Sequence, residues 1–94
     1  MKGYVVAQIQ ITDQKTYDDY RAQVLPTIER YGGKFLVRGG RAEAVEGPAA
    51  GRMVVLEFPS YDQAKTWYHS AEYSPLAALR QSAASGQLVL VEGA

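Results

Sequence analysis

The sequence predicts an α+β fold with the element order β-α-β-β-α-β: a four-stranded antiparallel sheet with its helices on one face. Three observations carry this. The apolar spacing switches along the chain between a period of two and a period of three to four. Each helical stretch begins at a capping residue and ends at glycine or proline. The two halves also match coarsely, with Ile11-Thr12-Asp13 before the first helix and Phe58-Pro59-Ser60 before the second. Strand, capped helix, strand, written twice, is the split β-α-β arrangement of the ferredoxin-like fold. Residues 1–94 are expected to form one domain of this kind.

The first strand spans Met1 to Ile11, where Val5, Ala7, Ile9 and Ile11 alternate with Tyr4, Val6, Gln8 and Gln10. Thr12-Asp13 offers an N-cap to the first helix, expected over roughly 13–32 with Tyr17, Tyr20, Val24, Ile28 and Tyr31 as its apolar stripe. Pro26 removes a backbone hydrogen bond and crowds the carbonyl of Ala22, so a kink or a junction of two shorter helices is expected there. Gly32-Gly33 supplies the left-handed residue that ends the helix. Lys34 to Arg38 forms the second strand. Gly39-Gly40 suggests a bulge, after which Arg41 to Glu46 is expected to continue that strand as a long, bent hairpin arm. Glu46 to Gly51 reads as a turn, and Arg52 to Phe58 as the third strand.

Ser60 with Gln63 three residues on forms a capping box for the second helix, whose stripe is Tyr61, Ala64, Tyr68 and Ala71 with Trp67 beside it. Pro75 suits the first turn of a further helix, 75–84, carrying Leu76, Leu79 and Ala83, which Gly86 closes. Gln87 to Glu92 is the last strand.

Composition narrows the function. The 94 residues carry 10 Lys+Arg against 10 Asp+Glu, so the net charge is zero. Nucleic-acid binding, which normally needs a basic excess, is not expected. No cysteine is present, which excludes disulfides, thiolate metal sites and cysteine nucleophiles. No apolar run approaches the ~20 residues of a membrane span, and no signal-like segment opens the chain, so a cytoplasmic protein without a membrane partner is expected. With one histidine, no cysteine and only Asp18-Asp19 as adjacent carboxylates, neither a metal nor another cofactor is expected.

Helices can cover only one face of such a sheet. The other face is not clearly polar. On the third strand Met53 and Val55 point one way and Val54, Leu56 and Phe58 the other, and on the last strand Leu88 and Leu90 oppose Val89 and Val91. Tyr4 and Val6 add to the face opposite Val5 and Ala7, with Gln8, Gln10, Glu57 and Glu92 on or near that second face and Arg41 expected opposite Glu57. Leaving these apolar side chains in water forfeits several kcal/mol at ~25 cal/mol per Å². Packing against a second copy removes that cost, so a homodimer is expected.

Candidate site residues come from three features. Arg38 followed by Gly39-Gly40 places a guanidinium near a strand end where a ligand can approach the backbone, suited to a carboxylate or enolate; the plainer reading is a hairpin salt bridge. Tyr20, Trp67 and Tyr73, from helices or their ends, are ordinary core or the wall of a cavity with convergent hydroxyls and an indole N–H. His69 is the lone histidine, a general base or haem ligand if it reaches a pocket and otherwise a surface residue. Arg80 reads as a solvated residue of the last helix, with a second anion contact as the alternative. Nucleophile elbows, phosphate loops and dinucleotide fingerprints are absent from the sequence.

Several stretches together resemble one family. They are Tyr31 through Gly40 (YGGKFLVRGG), Val55 through Ser60 (VLEFPS), then Ala64, Trp67, Ser70 through Leu76 (SAEYSPL), Arg80, and the ending Leu88 through Gly93. The resemblance, over nearly the whole chain, is to the domain of unknown function 1330 family of the dimeric α/β-barrel superfamily. It implies a ferredoxin-like protomer, a dimer whose two sheets form a barrel, and small molecules held between helices and sheet. Wider relatives so implied include cofactor-free monooxygenases, muconolactone isomerases, haem-handling proteins and regulator ligand-binding domains, so activity does not follow from fold. Two readings result: a dimeric protein binding a small aromatic or carboxylate ligand, or a cofactor-free monooxygenase or isomerase acting on a small enolisable or aromatic substrate. In the second, Arg38 stabilises developing negative charge and a tyrosine or His69 moves a proton.

Overall fold

A computed structural model describes residues 1–49 and 51–94. The elements are β1 (Gly3–Ile11), α1 (Gln14–Arg30), β2 (Lys34–Arg38), β3 (Arg52–Phe58), α2 (Tyr61–Tyr68), α3 (Ser74–Ala83) and β4 (Ala84–Glu92). All strand pairs are antiparallel, in the order β2-β3-β1-β4. This is the predicted ferredoxin-like α+β arrangement, with the last helical region divided into α2 and α3.

One sheet face carries Val5, Ala7, Ile9, Leu56 and Phe58, all buried against Tyr17, Tyr20, Val24 and Ile28 of α1 and Ala64 and Trp67 of α2. Asp13 caps α1, its carboxylate accepting from Thr16 N at 3.2 Å and Thr16 Oγ1 at 2.8 Å. Helix α1 runs unbroken through Pro26, so the two-helix junction is not formed: Val24, Thr27 and Ile28 are buried around it while Pro26 itself is exposed. Tertiary packing of that stripe outweighs the missing hydrogen bond. Gly32, at φ 80°, then provides the expected left-handed exit.

Several expectations change. The second strand stops at Arg38, and Arg41 to Glu46 form no strand. Its irregularity lies between Phe35 and Val37 rather than at the paired glycines. Consequently Glu57 faces Lys34 and pairs with it (Nζ···Oε1 3.6 Å), not Arg41. Ala50, within the turn expected at Glu46–Gly51, lies outside the described residues. The capping box is half formed: Ser60 Oγ accepts from Gln63 N at 3.0 Å, but the Gln63 amide donates to Tyr31 O instead. Helix α2 ends at Tyr68, which leaves Ala71 exposed. Finally, β4 begins at Ala84, so Gly86 (φ 141°) lies inside a strand; a Cβ there would collide with the Gln8 carbonyl of β1.

On the opposite sheet face the register aligns Val37, Val55, Val6 and Val89 in one row across all four strands. Lys34, Glu57, Tyr4 and Val91 form the next row, and Met53, Gln8 and Gln87 the one beyond. Val37, Val89 and Val91 are 39%, 42% and 43% exposed. Glu92, opposite Gly3, belongs by register to the helix-covered side.

The α1 end is tied to the α2–α3 junction by Glu72, which accepts from Tyr31 Oη at 2.7 Å and pairs with Arg30 Nε at 3.1 Å. The Tyr31 hydrogen bond, with Arg30 assisting, holds the Glu72 carboxyl below its ordinary value. A depressed carboxylate pKa stabilises the fold above the unfolded-state pKa, and that contribution disappears as pH falls through the native value. The stability difference between wild type and Tyr31→Phe is therefore expected at neutral pH and to vanish in acid. Urea titrations at pH 7 and pH 3 check this, and a difference independent of pH would contradict it.

Candidate functional site

The register that builds the sheet also builds a cavity beneath α1. By strict alternation from Phe35, which faces the core, Val37 would face inward and Arg38 outward. The irregularity at Leu36 reverses this: Val37 pairs with Val55 on the uncovered face, and Arg38 pairs with Val54 on the helix side. Arg38 then lies over the Phe35 ring, its guanidinium carbon 4.3 Å from the centroid, and donates from Nη2 to Arg21 O at 3.3 Å. Arg52, opposite Ile9, points to the same side; its Nε donates to Tyr17 Oη at 3.2 Å. Gly39 (φ 68°) makes room for it, because a Cβ there would strike the Arg52 guanidinium. The glycine expected to admit a ligand admits a second arginine instead.

The cavity holds about 30 Å³, room for one or two waters. Its walls include Val5, Ile9, Val24, Leu56 and Trp67, with Tyr17 and Tyr20 from α1. Four arginines line it: Arg21, Arg38 and Arg52 toward solvent, and Arg80 at depth, 9% exposed. No carboxylate lines it among the described residues.

Arg80 is the residue that sequence reasoning misplaced. It is not solvated. It sits on the buried stripe of α3 with Leu76, Ala77 and Ala83. The spacing signalled this, since Arg80 lies four residues after Leu76 and three before Ala83. Its Nε donates to Tyr73 Oη at 3.4 Å, and no carboxylate pairs with it among the described residues. Arg80 is among the residues that line the cavity, and no fully buried side-chain nitrogen or oxygen is left without a partner among the described residues. Burial works against its charge, but the Tyr73, Tyr20 and Tyr68 oxygens more than offset it, and its pKa lies above the ordinary arginine value. The guanidinium therefore has phenol oxygens around it but no carboxylate counter-ion among the described residues.

Tyr20 Oη and Tyr73 Oη are 3.0 Å apart. Tyr73 can accept from Arg80 and donate to Tyr20, which leaves the Tyr20 proton free to point into the cavity. Burial, with the Tyr73 phenol adding, pushes the Tyr20 pKa far up. It is a hydrogen-bond donor at neutral pH, not a base. Trp67 is 1% exposed, packs 4.0 Å from the Tyr73 ring centroid, and donates from Nε1 to Thr27 Oγ1 at 3.1 Å.

Of the residues singled out from sequence, Arg38, Tyr20 and Trp67 therefore line one cavity, and Tyr73 supports it from behind. His69 does not join them. It caps the C-terminus of α2, is exposed, and meets only the edge of Tyr68, at 5.2 Å between ring centroids. Helix α2 stops one residue before it, and His69 is not among the residues that line the cavity. Arg21 and Arg52 were not anticipated. Arg52 opens the third strand in phase with Val54 and Leu56, a charged residue on an apolar face.

Solved structures with this fold are distant in sequence. A protein of unknown function from Rhodopseudomonas palustris is 18% identical, with a TM-score of 0.79 over 99% of this chain and 82% of its own. SnoaB, a cofactor-independent oxygenase from Streptomyces nogalater, is 11% identical, with a TM-score of 0.67 over 99% and 93%. A putative antibiotic biosynthesis monooxygenase from Nitrosomonas europaea is 16% identical, with a TM-score of 0.57 over 99% and 98%. At such identities the likeness shows a shared fold and no shared chemistry. No curated protein sequence matches. The family described as domain of unknown function DUF1330 matches across residues 2–94, as the sequence motifs implied, and the chain belongs to it.

Proposed function

We propose that this protein is a homodimer that binds a small organic carboxylate with an apolar or aromatic body between α1 and the sheet. One observation carries the ligand reading: Arg80, buried without a carboxylate partner, opens on an apolar cavity with aromatic walls. A buried charge without a partner costs several kcal/mol, and a bidentate carboxylate is its natural counter-ion. Because the cavity is water-sized, binding requires Arg38 to leave Phe35 or Arg52 to leave Tyr17.

The dimer reading rests on the uncovered sheet face. Its valine row crosses all four strands, its Lys34–Glu57 pair is internally neutral, and the chain as a whole carries no net charge. A second copy can approach this face without electrostatic cost. Two-fold packing of sheet on sheet is the geometry such a face allows.

Calorimetric titration with benzoate and with neutral benzamide tests the ligand reading. A hydrogen bond to a charged group contributes about 1.5–3 kcal/mol, so benzoate is expected to bind at least ~10-fold more tightly. Equal affinities, or no binding of either, would overturn it. The alternative reading, a cofactor-free oxygenase or isomerase, draws on the same donors: Arg80 and the Tyr20 hydroxyl are placed to stabilise an enolate. It is the weaker reading, because no histidine or carboxylate lines the cavity among the described residues and Tyr20 remains protonated.

A further inference from the structure

The cavity and its mouth differ in character. At depth there is one guanidinium, Arg80, among apolar walls. Outside, an open depression of about 380 Å³ is lined by Asp18, Arg21, Ala22 and Arg38, and it shares Arg21 and Arg38 with the inner cavity. Arg52 lines the cavity from the sheet side, half-buried.

Among the described residues, none of these three outer arginines has a strong partner. Arg38 has the Phe35 face and a 3.3 Å contact to a backbone carbonyl, Arg52 has the Tyr17 hydroxyl, and Arg21 reaches Asp18 only at 3.9 Å. Asp18 already accepts from the Gln14 amide at 2.9 Å. Two guanidiniums, Arg21 and Arg38, thus line the mouth beside one carboxylate, and a third, Arg52, lines the cavity that the mouth adjoins, in a chain of zero net charge. Such a cluster of like charges is unfavourable alone and is relieved by an anion. A ligand with one carboxylate satisfies Arg80 and leaves the mouth uncompensated.

We propose that the natural ligand is a two-headed anion: one carboxylate held by Arg80 at the cavity floor, an apolar or aromatic body along the cavity, and a second anionic group held by Arg21, Arg38 and Arg52 at the mouth. This rests on the carboxylate reading of the same site and specifies the ligand class. Arg38 and Arg52 lie over Phe35 and Tyr17, and a second anion gives them a better partner once the body has displaced them.

Three probes separate the two readings: benzoate, benzene-1,4-dicarboxylate, and 4-carbamoylbenzoate, which matches the diacid in shape but lacks its second charge. By calorimetry in low salt, the diacid is expected to bind at least about tenfold more tightly than the monoamide. In the double variant Arg38→Gln/Arg52→Gln, folded by circular dichroism, that ratio is expected to fall toward one. Equal affinities of diacid and monoamide, with benzoate still preferred over benzamide, would overturn the two-headed ligand and leave the carboxylate reading standing. A ratio unchanged in the double variant would also overturn it. If no aromatic carboxylate binds at all, both readings fail together.

Discussion

Replacing Arg80 with methionine is expected to make the protein more stable while sharply weakening its affinity for aromatic carboxylates. In the native chain a guanidinium is held at 9% exposure with a phenol as its hydrogen-bond partner and no carboxylate among the described residues. Methionine keeps the length and the apolar stem, removes the desolvated charge, and leaves Tyr73 and Tyr20 hydrogen-bonded to each other. Apolar replacement of buried ionic groups is often neutral or stabilising by about 1–4 kcal/mol. A gain of ~1 kcal/mol would raise the melting temperature of a domain of this size by about 4–8 °C. Benzoate affinity should fall by ~100-fold, the scale of a lost charge-assisted pair. Arg80→Lys should recover part of the binding, because it restores the charge without the planar fork. Thermal denaturation and calorimetry on the same samples decide the matter. A large loss of stability with undiminished binding would make Arg80 a structural residue and remove the carboxylate site.

A second large effect is expected on the opposite face of the sheet. Val55 lies in the centre of the valine row, flanked by Val37 and Val6. In a dimer that packs these faces together, Val55→Asp buries an unpaired carboxylate in each protomer. Leaving one charge uncompensated in an interface costs about 3–5 kcal/mol, which is ~100-fold or more in the dimer constant. Sedimentation velocity at micromolar concentration should show a dimer for wild type and a monomer for Val55→Asp. Val89→Asp, on the edge strand β4, gives the same test with less risk to the sheet. A wild-type monomer at these concentrations, or dimers unaffected by either change, would exclude this face as the interface.

The fold was legible because its signals are local and redundant. The first strand alternates over its whole length, Asp13 and Ser60 cap as their neighbours require, and Gly32 ends α1 where the stripe ends. Parts of the candidate cavity were legible too, since Arg38, Tyr20 and Trp67 all line it. The rest depended on non-local facts. Where Arg38 points is decided by an irregularity at Leu36, which no residue type announces. The paired glycines drew attention to the wrong place, because Gly39 is needed for the close approach of Arg52, a contact between strands rather than within one. Arg80 carried a readable signal, a charge on the apolar stripe with Leu76, Ala77 and Ala83, but a charge on a short helix more often belongs to water. His69 shows the reverse. Chemical versatility made it conspicuous, and helix termination at Tyr68 put it on the surface.

The same structure also makes cost and function point in opposite directions at one residue. Most of the core follows from burial: Val5, Ile28, Phe58 and Trp67 are removed from water and packed together. Arg80 alone among the buried residues brings a full charge into that core without a carboxylate partner among the described residues. On the proposed reading, stability is exchanged for recognition at this residue.

The most direct test of that claim is a crystal structure of the protein soaked with 4-iodobenzoate, the iodine being located by its anomalous signal. The account predicts the carboxylate within hydrogen-bond distance of the Arg80 guanidinium, the ring against Trp67 and Tyr20, and the iodine directed toward Arg38 and Arg52. Iodine found only on the outer surface, or a carboxylate turned toward solvent with Arg80 still facing Tyr73 alone, would contradict it.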